Sequence, residues 1–187
     1  MNNRLRIGIA AFVLSGASVA MAQTLEPAQS EIAFTFRQMG VPVAGRFTKF
    51  SGQVHFDPKK PEAGKVALRI DTGSARFGSA ETDAEAVKSD WLYAAKFPQA
   101  SLDSVAIQAV GPGRYELAGQ LSIKGTARAV RIPVALARSG AMTIATGAFT
   151  VKRLEFKVGD GDWSDTSLVA NEVQVNFKLA LSGMAAL

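Results

Sequence analysis

Residues 32–37 read Ile-Ala-Phe-Thr-Phe-Arg, and this short stretch decides the fold class. Ile32, Phe34 and Phe36 occupy alternate positions, with Thr35 and Arg37 among the residues between and after them. Successive side chains of a β-strand point to opposite faces, so a period of two places the three apolar side chains together. The stretch therefore predicts a strand with one buried face and one face toward water.

The same alternation returns along most of the chain. It is less regular in residues 102–107 and 142–151, where the apolar positions change face once, at Asp103-Ser104 and near Gly147. A change of face is what a β-bulge, one extra residue in a strand, would produce. The regular segments are residues 50–57, 66–71, 115–123, 130–136 and 173–179.

Short turn sequences separate these segments. Asp57-Pro58-Lys59-Lys60-Pro61 lies between two of them, and Gly111-Pro112-Gly113 and Ser139-Gly140 supply hairpin turns. About eight strands joined in this way, each with one apolar face, either close into a barrel or stack as a sandwich. Closure has the advantage of removing the unpaired strand edges.

One segment departs from the β pattern. Thr82-Asp83-Ala84-Glu85 has the form of a capping box, and Val87 and Trp91 then follow at helical spacing. We expect a short helix from about Thr82 to Tyr93. Its apolar stripe cannot be buried by the helix alone, so it should lie across the barrel wall or one mouth.

The N-terminus has the composition of a secretory signal peptide. Arg4 and Arg6 precede an apolar run from Ile7 to about Val19, and small residues at Ala20 and Ala22 suit a signal peptidase. The run is shorter than the roughly 20 residues that span a bilayer. We expect residues 1–22 to be removed by cleavage after Ala22, leaving residues 23–187 as a single domain in the periplasm.

The composition excludes several kinds of site. The sequence has no cysteine, so it has no disulfide framework and no thiol nucleophile. His55, the lone histidine, alternates with Gln53 and should face water. Asp160-Gly161-Asp162 resembles the start of a calcium-binding loop but lacks the rest of it. We therefore predict no metal and no catalytic residue. The formal net charge of +5 falls when Arg4 and Arg6 are removed, which predicts no nucleic-acid partner.

Several ordered segments carry a resemblance to one family. Gly119-Gln120-Leu121-Ser122-Ile123-Lys124-Gly125-Thr126 resembles the G-x-L-t-i-K-G-v-t signature of the YceI family. The other matching segments are residues 45–52 (G-x-F-x-x-f-x-G), 56–58 (f-D-p), 89–92 with 97–100 (s-x-d-f-l-d … y-P-x-a) and 153–159 (R-x-d-f-g-i-g). The resemblance runs from about Leu25 to Leu179.

The resemblance implies an all-β fold with one short helix, an eight-stranded antiparallel lipocalin-like barrel. It also implies a periplasmic protein that carries a long-chain isoprenoid, either polyprenyl or quinone-like, or a similar amphiphile. Apart from such a bound lipid it implies no cofactor and no catalytic residue. Transient contact with a membrane or with a cytochrome b561-like protein is a further implication, and either a monomer or a homodimer fits it.

The inward positions of the predicted strands are candidates for contact with the lipid. At this size a barrel either fills its interior with side chains or leaves room for one small ligand, and the sequence does not choose between them. The candidates are Phe34, Phe36, Val54, Phe56, Leu68, Ile70, Leu117, Leu121, Ile132, Val134, Phe149, Phe156, Val175 and Phe177.

Three residues are candidates for a contact with the polar head of the ligand. Asp90 and Trp91 end the expected helix, and Arg153 follows the strand that contains Phe149. Each also has a structural interpretation: Asp90 as the cap of a turn, Trp91 as a plug in the barrel end, and Arg153 as the partner of a carboxylate such as Glu155.

Three other functions remain open at this point. A closed barrel with a carboxylate at its mouth could be a lipid isomerase or cyclase, although few titratable groups converge. A small outer-membrane barrel has the same number of alternating strands. The barrel could also be a structural accessory to a membrane redox partner.

Overall fold

The computed structural model describes residues 23–185, so the predicted signal peptide at residues 1–22 lies outside the described residues. Within them the chain is built almost entirely of strands, as the alternating pattern predicts. The strands are β1 (Gln23–Leu25), β2 (Glu31–Gln38), β3 (Val41–Phe47), β4 (Phe50–His55), β5 (Lys65–Asp71), β6 (Ala75–Arg76), β7 (Gln99–Gly111), β8 (Arg114–Ile123), β9 (Thr126–Ser139), β10 (Met142–Lys152) and β11 (Glu172–Ser182), and the helix is α1 (Ala80–Ala86).

Eight of these strands form a closed antiparallel ring. Its order is β1-β4-β5-β7-β8-β9-β10-β11, and pairing of β1 with β11 completes the circuit. The ring closes where Leu25 lies opposite Leu181 and Gln23 lies opposite Val54. The prediction of an eight-stranded antiparallel barrel is confirmed, and the sandwich is excluded.

The barrel opens out at one end because β11 changes partner along its length. The C-terminal part of β11 pairs with β1, whereas its earlier residues 174–178 pair with β2. The hairpin of β2 and β3 thus extends from the ring, and β3 is held on its other side only where Arg46 and Phe47 pair with β6. The wall of the barrel is complete where β11 pairs with β1, and it opens into a wide mouth where β11 pairs with β2 instead.

Apolar side chains fill the inner face of the sheet. In β8, Tyr115, Leu117 and Leu121 are all buried, and in β9 Ile132 is only 1% exposed. Complete burial of one such side chain contributes roughly 1.5–3 kcal/mol, so this face provides most of the stability.

Charged side chains lie on the outer face. Arg69 of β5 pairs with Asp103 of β7 at 2.8 Å, and Arg131 of β9 pairs with Glu116 of β8. Both pairs are solvent-exposed and should contribute little to stability, roughly 0–1 kcal/mol each. An apolar inside with a charged outside is the reverse of the arrangement in outer-membrane barrels.

One of the two predicted bulges is present. The pairing of β7 with β8 shifts register between Ser104 and Ala106, which leaves Val105 pointing outward. The bulge predicted near Gly147 is wrong, because β10 keeps one register with β11 from Thr143 to Lys152. Gly147 instead marks the place where β10 separates from β9, since their pairing ends at Thr146.

The helix is shorter than expected and begins earlier. Ser79 is the N-cap, and its side chain accepts a hydrogen bond from the Thr82 N–H, so the capping box predicted at Thr82 is wrong. The chain leaves the helix after Ala86 and makes a series of turns, in which the Tyr93 N–H donates to the Lys88 carbonyl. Trp91 lies after the end of the helix, and the centre of its ring is 5.5 Å from that of Trp163.

Gly147 is needed for close packing. A Cβ at this position would lie 2.3 Å from the Pro133 carbonyl oxygen and 2.4 Å from the ring of Phe177. We expect Gly147→Ala to lower the free energy of unfolding by about 1–3 kcal/mol, because neither neighbour can move without disturbing the sheet. Chemical denaturation measures this. Gly111→Ala is the control, since a Cβ there meets nothing closer than 3.4 Å. Equal stability of the two variants would contradict the prediction.

Two further features bear on function. Within residues 23–185 no helix is long and apolar enough to cross a bilayer. His55 is exposed at the end of β4, as its alternation with Gln53 predicts.

Candidate functional site

The closed part of the barrel contains an apolar cavity, the inner chamber, with a volume of about 180 Å³. One water molecule needs only about 10–15 Å³ measured in this way, so the barrel is hollow rather than filled. The walls expose no polar atom. They are formed by Ile32, Phe47, Val54, Phe56, Val66, Leu68, Ile70, Thr72, Leu92, Ala100, Leu102, Ile107, Tyr115, Leu117, Leu121, Ile123, Ile132, Val134, Leu136, Ala145, Phe149, Val151, Val175, Phe177, Leu179, Leu181 and Met184.

A second and larger cavity, the outer chamber, occupies the wide mouth and has a volume of about 560 Å³. The hairpin of β2 and β3, helix α1 and the loop after β10 surround it. Its walls combine aromatic rings with a few polar groups. They are Phe34, Phe36, Gln38, Phe47, Phe77, Glu81, Thr82, Glu85, Ala86, Trp91, Leu92, Ile123, Val151, Arg153, Phe156, Val158, Trp163, Val169, Val173 and Val175.

The two chambers adjoin each other. Both are lined by Phe47, Leu92, Ile123, Val151 and Val175. A long molecule that passes between these side chains would extend from the mouth into the closed part of the barrel. The site has an apolar interior and a mixed apolar and polar entrance.

The predicted inward residues all line one chamber or the other. Phe34, Phe36 and Phe156 lie in the outer chamber, and the rest contribute to the inner chamber. Alternation also offered a signal for lining residues that the prediction omitted, such as Ile32, which shares the face of Phe34. Phe77 and Trp163 had no such signal because they lie outside the strands of the ring. Whether these residues contact a lipid stays a prediction.

Arg153 is 3% exposed and holds the loop that forms one wall of the outer chamber. Its Nε donates to the carbonyl of Ala170, Nη1 to those of Val158 and Gly159, and Nη2 to those of Trp163 and Val169. All five N–H groups of the guanidinium are thereby satisfied by main-chain oxygens. Burial lowers the pKa of Arg153 from its ordinary value.

This arrangement corrects both sequence interpretations of Arg153. Its partners are carbonyl groups rather than the Glu155 carboxylate, because residues 153–159 wrap around the guanidinium in a tight turn. No N–H group is left over for the head of a ligand. The side chain positions the wall of the chamber and does not act as a donor at its surface.

Trp91 lies between Arg153 and Trp163. The guanidinium carbon of Arg153 is 5.9 Å from the centre of the Trp91 ring, a distance at which cation–π attraction operates. The indole Nε1 of Trp91 is shielded from solvent and has no hydrogen-bond partner among the described residues. A buried donor without an acceptor is costly, so this N–H lowers the stability of the chamber wall.

Asp90 does not reach either chamber. It is exposed, and its main-chain carbonyl accepts hydrogen bonds from the Gly159 N–H at 2.7 Å and from Lys124 Nζ at 3.1 Å. Its side chain lines neither chamber, whereas that of its neighbour Trp91 lines the outer chamber. The expected head-group contact from Asp90 is replaced by a structural role of its backbone.

The signature residues Lys124 and Gly125 are also structural. Lys124 turns the chain between β8 and β9 at φ +48°, and its ammonium group donates to the carbonyls of Asp90 and Lys157. Gly125 lies so close to the ring of Phe97 that a Cβ there would be 2.7 Å from it. The signature thus ties together the loops around the mouth.

Acidic side chains from α1 contribute to the entrance. Glu81 and Glu85 line the outer chamber, and Glu85 pairs with Lys88 on the surface. The hydrogen bond that Lys88 Nζ donates to the Glu85 carboxylate raises the pKa of Lys88 above its ordinary value. Residues 23–185 contain no group of three or more His, Cys, Asp or Glu side chains that could hold a metal ion.

The fold and the cavities define a class, the small hollow antiparallel β-barrels with an apolar interior. Within this class the chain belongs to the YceI-like domain family, whose model matches residues 23–181. The match includes all the strands of the ring except the last residue of β11.

Solved structures that are similar to the barrel include the following two. BcnA of Burkholderia cenocepacia is 40% identical and has a TM-score of 0.81, with 83% of this chain and 98% of that chain covered. A polyisoprenoid binding domain from Saccharophagus degradans, implicated in plant cell wall breakdown, is 18% identical with a TM-score of 0.71 and covers 87% of this chain and 98% of its own. At that identity the second likeness shows the fold alone.

Curated relatives include the UPF0312 protein of Shewanella denitrificans, which is 36% identical over 106 residues. The aligned part is 56% of this chain and 56% of that protein. The chain thus matches little more than half the length of such relatives.

Proposed function

We propose that the protein binds and carries a long-chain isoprenoid or similar amphiphilic lipid, with the apolar tail in the inner chamber and the polar head in the outer chamber. The observation that carries this proposal is the pair of adjoining chambers, of which the inner has wholly apolar walls and the outer has a few polar groups. An amphiphile has an apolar tail that suits the inner chamber and a polar head that suits the outer chamber.

The energetics favour the tail as the main source of affinity. Burial of a methylene group contributes roughly 0.8 kcal/mol, so one five-carbon isoprene unit contributes on the order of 3–4 kcal/mol before ordering costs are subtracted. Two or three buried units then suffice for micromolar binding. Because the inner chamber has no polar group to satisfy, we expect binding to tolerate different head groups.

The comparisons support the ligand class. The domain from Saccharophagus degradans with the same fold is described as polyisoprenoid-binding. The head would then lie beside the side chain of Trp91, which lines the outer chamber.

We further propose that the protein works in the periplasm, without a cofactor other than the bound lipid, as a monomer or homodimer. The signal-peptide pattern of residues 1–22 supports this location. A cytochrome b561-like membrane protein is the proposed partner in the case where the lipid is a quinone.

A binding role fits the site better than catalysis. Glu81 and Glu85 are the carboxylates among the residues that line the outer chamber, and the same set has no histidine, cysteine, lysine or tyrosine that could act with them as acid, base or nucleophile. We therefore propose that the lipid leaves chemically unchanged, and not that the barrel isomerises or cyclises it.

Mass spectrometry of an organic extract tests the proposal. The protein is expressed with residues 1–22, purified from the periplasm without detergent, and extracted. We expect one long-chain lipid per barrel, unchanged after incubation with the protein. A protein that is empty and also fails to bind added polyprenol or quinone would refute the carrier role and favour the accessory role. Conversion of the added lipid would instead establish an enzyme.

A further inference from the structure

Three large apolar side chains are exposed together at the mouth of the outer chamber. Met39 is 71% exposed, Val41 is 63% exposed and Leu168 is 42% exposed. They come from two segments that are joined directly, because the Met39 N–H donates to the Leu168 carbonyl at 2.7 Å. We call these three residues the apolar rim.

The rim is continuous with the cavity wall. Gln38 and Val169, which line the outer chamber, pair with each other and are the immediate neighbours of Met39 and Leu168. Val41 lies opposite Gln38 in the β2–β3 hairpin, so its side chain is on the face that Phe34 and Phe36 present to the chamber. The apolar wall of the chamber therefore continues outward to solvent at this hairpin.

We infer that the apolar rim docks on the surface of a phospholipid bilayer and brings the mouth of the barrel against it. This inference rests on the proposed function, since a cargo with a long apolar tail is itself dissolved in a bilayer. Docking would let the tail pass from the membrane to the outer chamber along apolar side chains rather than through water.

The size of the rim favours a bilayer over a protein. A stable protein interface uses about 20–30 residues on each side, whereas the rim has three apolar residues on one hairpin and one loop. A few apolar side chains are enough for reversible insertion at the boundary between head groups and acyl chains. Val41 is on the edge of β3, so it can enter that boundary without any rearrangement of the ring.

One basic and one acidic side chain lie close to the rim in the sequence. Arg37 is exposed at the hairpin, with Nη1 donating to the Gly40 carbonyl, and it can bind a lipid phosphate. Asp165 lies three residues before Leu168, and hydrogen bonds from Ser167 lower the pKa of its carboxyl. The two charges act in opposite directions on an anionic surface, so the affinity for a bilayer should come mainly from insertion of the apolar side chains.

Vesicle flotation tests the inference. Vesicles of phosphatidylethanolamine and phosphatidylglycerol are mixed with the wild-type protein and with a triple variant, Met39→Asn, Val41→Thr and Leu168→Gln. Asparagine tolerates the positive φ of +47° at position 39, and threonine keeps the shape of valine. The matched control is Val105→Thr with Val110→Thr, because these valines are 69% and 62% exposed but line neither chamber.

We expect the triple variant to bind vesicles roughly a hundredfold more weakly and the control to bind within about twofold of wild type. Binding of a fluorescent polyprenyl probe in solution, measured on the same proteins, separates this inference from the proposed function. If the probe binds and flotation is equal for the wild type and the triple variant, docking by the rim is refuted while lipid carriage stands. Absence of probe binding would refute the carrier role itself.

Sedimentation of the same proteins without vesicles identifies the competing occupant. A wild-type dimer that the triple variant loses, together with no flotation of either protein, would assign the rim to a second copy of the chain and overturn the inference.

Discussion

Arg153→Met should destabilise the barrel by about 3–5 kcal/mol, the loss that accompanies removal of one partner from a buried charged network. The five main-chain carbonyls that now accept from the guanidinium would lose their donors in a place that water reaches poorly. Methionine fills much of the volume but donates no hydrogen bond. The loop around the outer chamber should consequently loosen, and Trp91 should lose the cation beside its ring.

Urea-induced unfolding measures this effect, and two variants serve as comparisons. Arg153→Lys retains the charge but has only three donors, so it should recover less than half of the loss. Arg131→Met removes an exposed arginine from the pair with Glu116 and should change stability by less than about 1 kcal/mol. A loss for Arg153→Met as small as that for Arg131→Met would show that the five hydrogen bonds do not hold the loop.

Val134→Trp should abolish lipid binding while leaving the barrel folded. Val134 lies on the inner face of β9 opposite Tyr115, is only half-buried, and lines the inner chamber. An indole at this position occupies space that the tail would otherwise fill. Loss of burial for one isoprene unit, roughly 3–4 kcal/mol, corresponds to an affinity weaker by at least about a hundredfold.

Displacement of a fluorescent polyprenyl probe gives the dissociation constant, and circular dichroism verifies the fold. The matched control is Ala135→Trp, which adds the same ring at the next residue of β9 on the outer, exposed face. Probe affinity within about twofold of wild type is expected for the control. Should Val134→Trp bind as tightly as Ala135→Trp, the tail cannot lie in the inner chamber.

The alternating pattern was sufficient to predict the barrel. It did not predict the shortest strands, or the strand that contains a proline and a glycine. The short strands β1 and β6 are too brief to show a period. In β3, the apolar residues Val41, Val43 and Phe47 do alternate, but Pro42 and Gly45 argue against a strand. The structure accommodates Pro42 on the outer face opposite Arg37, and the ring of Phe34 occupies the space above Gly45.

The candidate site was predictable in its interior and less so at its mouth. Residues on the inner face of a strand follow from the period, whereas Asp90, Trp91 and Arg153 lie in loops whose paths depend on tertiary contacts. Nothing in the local sequence indicates that Arg153 is surrounded by five carbonyls. Two of them belong to Val169 and Ala170, which lie in a segment well after Arg153 in the sequence. Trp91 was identified from helical spacing, yet it reaches the chamber only because the helix ends before it.

The pairing of β1 on both sides has a consequence for the order of assembly. This three-residue strand joins residues 53–54 to residues 181–182, so the seam of the ring unites the beginning of the described chain with its final strand. Contacts this remote in sequence carry a large loop-closure entropy and tend to form late. The seam should accordingly be the last part of the ring to form during refolding. In pulsed hydrogen exchange, the amide protons of Thr24 and Leu25 should become protected after those of the β8–β9 hairpin.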